Sequence, residues 1–207
     1  MASFIQFYKS GGWAMHFISL TALVSLALIG ERFFFLFKSS MNPESFLRTI
    51  TKKLREGDYN GAIRYCDSIG KPLSKIIGAG LRNYKDDIRE MQNAVDEVGL
   101  AEIPRINQRL NYLPVLSQVA TLLGLLGTIA GLLKSFAALL TASASTRTME
   151  LIKGISVALN TTFFGLSVAI PVMLFHAFLQ AKADGIVDDI DEYAVKIMNM
   201  LQDIKKG

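Results

Sequence analysis

Two apolar stretches carry polar atoms at a spacing that could wet a path between helices. In the first, Ser117, Thr121, Gly124, Thr128, Gly131 and Ser135 follow one another at alternating steps of four and three. That 3.5-residue period lines one seam of a helix, and every member is small or hydroxylated. The second stretch repeats the idea with Gly154, Ala158, Thr162, Gly165, Ala169, Val172 and His176. Thr161 and Asn160 stand beside Thr162, and the opposite stripe of Ile155, Leu159, Phe163, Leu166, Ile170 and Leu174 is bulky enough for lipid. Hydroxyls on a narrow, small-residue stripe can replace part of the hydration of an ion or hold a file of water. Packing alone is the competing reading: helices in lipid approach through small residues, and Gly127–Gly131 is a GxxxG step. For Gly124, Gly127, Gly131, Ala158, Gly165 and Ala169 both readings stand. Thr128, Thr161 and Thr162 are the candidate ion-path residues, with Ser117 and Thr121 extending the pore-facing stripe.

What is missing sharpens this chemistry. An ion relay inside a membrane ordinarily contains an intramembrane carboxylate, yet neither stretch holds an Asp or Glu. If the chain moves protons, another chain must supply the titrating group. His176 reads as an interfacial or packing histidine. The single cysteine, Cys66, excludes an internal disulfide and any cysteine-based metal cluster. No nucleophile–base set or metal set falls within the spans, so the expectation is no enzyme, no cofactor and no metal. A net charge of +4, spread along the chain, does not argue for nucleic acid.

The elements that hold these stripes follow from where charge is absent. No formal charge occurs between Lys9 and Glu31, between Arg109 and Lys134, or between Lys153 and Lys182. Each gap exceeds the roughly 20 apolar residues that cross hydrocarbon. The first gap lacks a small-residue cleavage site and ends in Glu31-Arg32 and Phe33-Phe34-Phe35, so it reads as a retained helix. The expected fold is an all-α membrane protein with helices extending from spans 2 and 3. Its segments are an N-terminal interfacial helix at 1–13 (with Phe4, Phe7, Tyr8 and Trp13), spans at 14–37, 113–140 and 154–179, a helical cytoplasmic domain at 38–112, a periplasmic loop at 141–153 and a C-terminal helix at 180–207.

Within the polar region, periodicity and breakers predict helices over 44–56, 59–69, 73–84 and about 86–110, the last leading into the second span as a possible continuous rod. In the tail, Ile186, Ile190, Tyr193, Ile197, Met200 and Ile204 form a seam for a neighbouring helix. Asp188, Asp189, Asp191 and Glu192 occupy other positions, as a solvated face or a cation-attracting rim. One side of the membrane has Arg32, Lys38, Arg48, Lys52, Lys53, Arg105, Arg109 and Lys182 near the span ends. The other has Lys9, Lys134, Arg147 and Lys153. The richer side should be cytoplasmic, with the N-terminus outside.

Residues 122–136, LLGLLGTIAGLLKSF, and 154–171, GISVALNTTFFGLSVAIP, resemble the second- and third-span signatures of the ExbB/TolQ/MotA proton-channel family. GGWAM at 11–15, Glu31-Arg32 and the Gly57…Ala62…Cys66 region are similar to its ExbB/TolQ branch. The resemblance implies the stator subunit of a bacterial inner-membrane motor. Such subunits form a homopentamer around a dimer of a single-span ExbD/TolR-like protein carrying the essential aspartate, with a TonB/TolA-like protein as a further partner. It implies that Thr128 and Thr162 match the threonines that face this aspartate. Two positions depart from the pattern: Val157 stands where many members have glutamate, and Thr121 where proline is common. Loss of the glutamate, with Thr161 and Thr162 adjacent, makes sodium an alternative to the proton. A non-conducting scaffold anchoring a cytoplasmic complex through 42–112 is the alternative from another class.

Overall fold

The computed structural model describes Tyr8 and residues 11–84, 87–141 and 145–206. Most of the expected 1–13 helix (with Phe4, Phe7 and Lys9), Asp86 and the loop positions 142–144 lie outside the described residues. Among the described residues all regular structure is helical: α1 Trp13–Ser39, α2 Pro43–Arg55, α3 Tyr59–Ile69, α4 Pro72–Arg82, α5 Ile88–Asn107, α6 Tyr112–Thr141 and α7 Arg147–Lys206. Three helices are long and apolar enough to cross a membrane. The chain is an all-α protein, as its charge gaps predict.

Two compact units divide it, one of Met1–Glu31 with Arg109–Phe178, the other of Arg32–Gln108 with Leu179–Gly207. In the first, α6 and α7 pack along their small-residue seams. Their outward side chains, among them Leu122, Leu133, Leu159, Phe163 and Leu174, are exposed. A helix apolar all round with bare leucines has lipid as its natural solvent.

The second unit is built from short capped helices. Asn42 accepts a hydrogen bond from the Ser45 amide at 3.0 Å and Pro43 opens α2, so a first-turn donor is satisfied and φ is preset. Phe46, Ile50 and Leu54, at steps of four, bury one face of α2. Asp58 caps α3 through the Gly61 amide, and Gly70, in the left-handed region at φ 62°, ends it. The Gly61 amide holds the Asp58 carboxyl below its ordinary pKa. α4 is buried nearly all round. Gly78 lies against Cys66 of α3, and Gly80 against Val95 of α5 and Met198 of α7. Glu102, almost wholly buried, bridges Lys75 at 3.0 Å and Arg105 at 2.9 Å. The Arg32 guanidinium donates to the Arg105 carbonyl at 3.1 Å.

Three differences from the sequence reading have physical reasons. The continuous rod gives way to two helices: α5 ends at Asn107, Gln108 turns extended, and Arg109 takes φ 64°. α4 stops at Arg82, two residues short of the expected end, with Asn83 as its C-cap. In the tail, Ile186, Ile190, Tyr193 and Ile197 are buried, but Leu201 then takes the core position while Met200 is half-buried. A straight helix drifts from a strict heptad, which moves the seam by one residue.

Candidate functional site: the hydroxylated flank of a helix pair

Where α6 meets α7, glycine permits an approach that no side chain would. A Cβ on Gly124 would lie 3.2 Å from the Thr162 Cα, and one on Gly131 3.2 Å from the Ala158 amide nitrogen. On Gly165 it would lie 2.7 Å from the Ala120 carbonyl oxygen and 3.1 Å from the Gly124 Cα. These are backbone atoms and cannot swing aside. Gly127 faces the Thr161 side chain, with the added Cβ 2.2 Å from its Cγ2. Ser117 donates to the Ala169 carbonyl at 2.8 Å, and Ser135 to the Gly131 carbonyl at 3.0 Å. Ser117, Gly124, Gly127, Gly131, Ala158, Gly165 and Ala169 therefore meet along one seam within the chain. The close contact of α6 with α7 runs through these small residues.

The threonines fall on different sides of that seam. Thr161 is fully buried, and its hydroxyl donates to the Val157 carbonyl at 2.7 Å and lies 3.3 Å from the Gly11 carbonyl. The segment entering α1 covers this flank, and Tyr8 stacks edge-on against Phe164 on it. The other flank is open. A groove of about 520 Å³ runs along it, lined by Ser117, Thr121, Leu166, Ala169, Ile170 and Met173 among others. Thr128 lies seven residues from Thr121, and Thr162 seven from Ala169, so both share that flank with the groove. Thr121 is exposed there; Thr128 and Thr162 are half-buried.

Each hydroxyl on the open flank has a local acceptor. Thr121 donates to the Ser117 carbonyl at 3.1 Å, Thr128 to the Leu125 carbonyl, and Thr162 across the seam to the Gly124 carbonyl at 3.1 Å. Donating its proton to a backbone carbonyl leaves the oxygen lone pairs of a threonine free to face water or a cation. Among the described residues no group of His, Cys, Asp and Glu could hold a metal ion.

These seams lie within a recognisable family pattern. The sequence model of the MotA/TolQ/ExbB proton channel family matches residues 68–192. The chain belongs to this family. A protein of Methanothermobacter thermautotrophicus, named by homology a biopolymer transport protein ExbB homolog, is 27% identical over 188 residues. The match covers 90% of this chain and 66% of that relative, so the chain spans just under two thirds of the relative's length. Family membership together with three apolar helices makes this a multi-pass membrane protein.

Sequence reasoning missed the division between Thr161 and Thr162. Neighbours on a helix point about 100° apart, and the side to which Thr161 turns is decided by α1 and Gly11, remote in sequence. The glycine pair at 11–12 was the available signal. Gly11 is buried and Gly12 sits at φ 70°, so a backbone carbonyl can approach α7 there.

Proposed function

We propose that the chain is the stator subunit of an ion-motive-force-driven motor of the bacterial inner membrane. In this reading a homopentamer surrounds a dimer of a single-span, ExbD/TolR-like protein, and the ion passes between the partner's aspartate and the threonine-bearing flank. The N-terminus lies in the periplasm and the tail in the cytoplasm. Work leaves through the partner toward the periplasm or outer membrane, where a TonB/TolA-like protein would receive it. Thr128 and Thr162 line the path, Thr121 extends it, and Thr161 holds α7 against the N-terminal segment.

One observation carries this reading. The open flank, whose groove is lined by Thr121 and whose seven-residue register continues to Thr128 and Thr162, belongs to a helix pair with no Asp or Glu between Arg109 and Lys134 or between Lys153 and Lys182. A proton relay inside a membrane ordinarily contains a carboxylate, so in this reading the titrating group comes from another chain. Co-expression with a single-span, aspartate-bearing protein of the same genome, followed by native mass measurement, tests the proposal. The expected particle has five copies of this chain and two of an aspartate-bearing partner. A stable oligomer that never retains such a partner would overturn it.

The glycine contacts favour a second reading, a non-conducting scaffold, because Gly124, Gly127, Gly131 and Gly165 are fully used in packing within one chain. Valine at Thr128 and Thr162 would leave such a scaffold working.

A further inference from the structure

The flank opposite the threonine groove has a cleft of its own, at the end of the helix pair where α1 begins, α6 ends and α7 starts. Its volume is about 600 Å³. Gly127, Ala130 and Val157 form part of an apolar floor, Trp13 stands at one edge, and Lys134 of α6 and Lys153 of α7 both line it. No carboxylate lines the cleft; the nearest acid in sequence, Glu150, is not among its walls, and neither lysine forms an ion pair among the described residues. Both lysines end apolar stretches that span hydrocarbon, and the indole of Trp13 is half-exposed, as suits the headgroup level of a bilayer.

Two like charges on separate helices, both lining one apolar cleft at a membrane boundary, repel each other unless an anion is shared between them. Amines alone would extend to water. A water-filled apolar cleft facing lipid is unfavourable. A molecule with an anionic head and an aliphatic tail satisfies both parts at once, the phosphate between the amines and the chain along Ala130 and Val157.

We propose that this cleft binds an anionic phospholipid of the leaflet at that end of the spans. The headgroup phosphate lies between Lys134 and Lys153, and one acyl chain lies over the floor formed by Gly127, Ala130 and Val157. The bound lipid closes the seam between α6, α7 and the segment entering α1, on the flank away from Thr121, Thr128 and Thr162. This reading does not rest on ion conduction.

The test uses the full chain, with whatever partner co-purifies, in nanodiscs of equal phosphatidylglycerol and phosphatidylcholine, washed with mild detergent. Retained lipids are then weighed by mass spectrometry. Wild-type protein should retain phosphatidylglycerol in preference, and each lysine changed to glutamine should lower that preference about fivefold. K134R/K153R should keep it. Unchanged oligomer mass and melting temperature in K134Q/K153Q would show that the fold is intact, since both side chains are at the surface. Equal retention of the two lipids by wild type, or undiminished preference in K134Q/K153Q, would overturn the proposal. Displacement of the lipid by inorganic phosphate at matched concentration would also overturn it, by assigning the lysines to a free anion. So would efficient copy-to-copy cross-linking of an Ile152→Cys, Cys66→Ala protein that retains no lipid, because a neighbouring chain would then fill the cleft.

Discussion

At the scale of single residues, two glycines of α7 separate a required contact from an incidental one. A methyl group on Gly165 would meet the Ala120 carbonyl oxygen and the Gly124 Cα, so the helices must part. Overpacking of this kind costs about 1–3 kcal/mol. On Gly185 the same methyl meets nothing within 4 Å, and alanine in a helix is favoured over glycine by up to about 1 kcal/mol. Gly165→Ala should lower the melting temperature in detergent while Gly185→Ala leaves it level or raises it. Equal melting of the two would mean that α6 and α7 are not in such close contact. Cys66 gives a residue-scale prediction in pH. Burial, with Asp67 adding to it, pushes its thiol up to about 12, against an ordinary value near 9 in the unfolded chain. A raised pKa favours the protonated folded form, so this contribution to stability is complete below pH 9 and is lost as pH rises from about 9 toward 12. Iodoacetamide at pH 8 should therefore leave the folded protein unlabelled and label it fully after denaturation. Rapid labelling of the folded chain would place Cys66 at the surface.

At the scale of elements, the break between α5 and α6 rests on Arg109. A left-handed conformation costs a non-glycine residue about 1–2 kcal/mol. The guanidinium recovers part of this by reaching both carboxylate oxygens of Glu31 at 2.6 Å. That pair is nearly half exposed on both sides, so it contributes about 0–1 kcal/mol. The two effects nearly offset each other. Arg109→Gly should change stability by no more than about 1 kcal/mol, whereas Arg109→Val, which loses the pair and keeps the strain, should melt distinctly lower. Thermal melts of the two proteins decide it, and identical losses would move the strain elsewhere. This turn also explains what could not be read from the chain. Breaks at Gly57 and Gly70 announce themselves through glycine, and the spans through absent charge. Gln108 and Arg109 carry no such punctuation, and the contact that Arg109 makes there is with Glu31, 78 positions away. Helix α3, with Asp58 before it and Gly70 after it, was legible to the residue because both its stop signals are local.

At the scale of the whole molecule, the proposed function turns on which flank of the helix pair stays open. The stripes were legible from spacing alone. The division of their hydroxyls between a flank where the segment entering α1 covers Thr161 and a flank it leaves open was not, since α1 and Gly11 decide it. That division sets up the comparison that separates conduction from packing. Thr162 makes one cross-helix hydrogen bond, to the Gly124 carbonyl, and such bonds in membranes average about 0.6 kcal/mol. Removing it costs too little to unfold the pair. Thr128 bonds only within its own helix, so its loss costs still less. If the threonines serve conduction, the double variant Thr128→Val, Thr162→Val, reconstituted with the single-span partner, should assemble normally yet lose proton flux by tenfold or more. Thr161→Val, on the covered flank, should keep flux per assembled complex while lowering the melting temperature, because its hydroxyl bonds are buried. Wild-type flux from the double variant would remove the threonines from the path, whereas a wild-type complex that carries no flux would leave the scaffold reading ahead. Running the same flux assay in sodium-free buffer identifies the ion. Flux that persists there and collapses with the proton gradient excludes sodium, and flux that returns only with sodium assigns the hydroxyls a direct part in replacing its hydration.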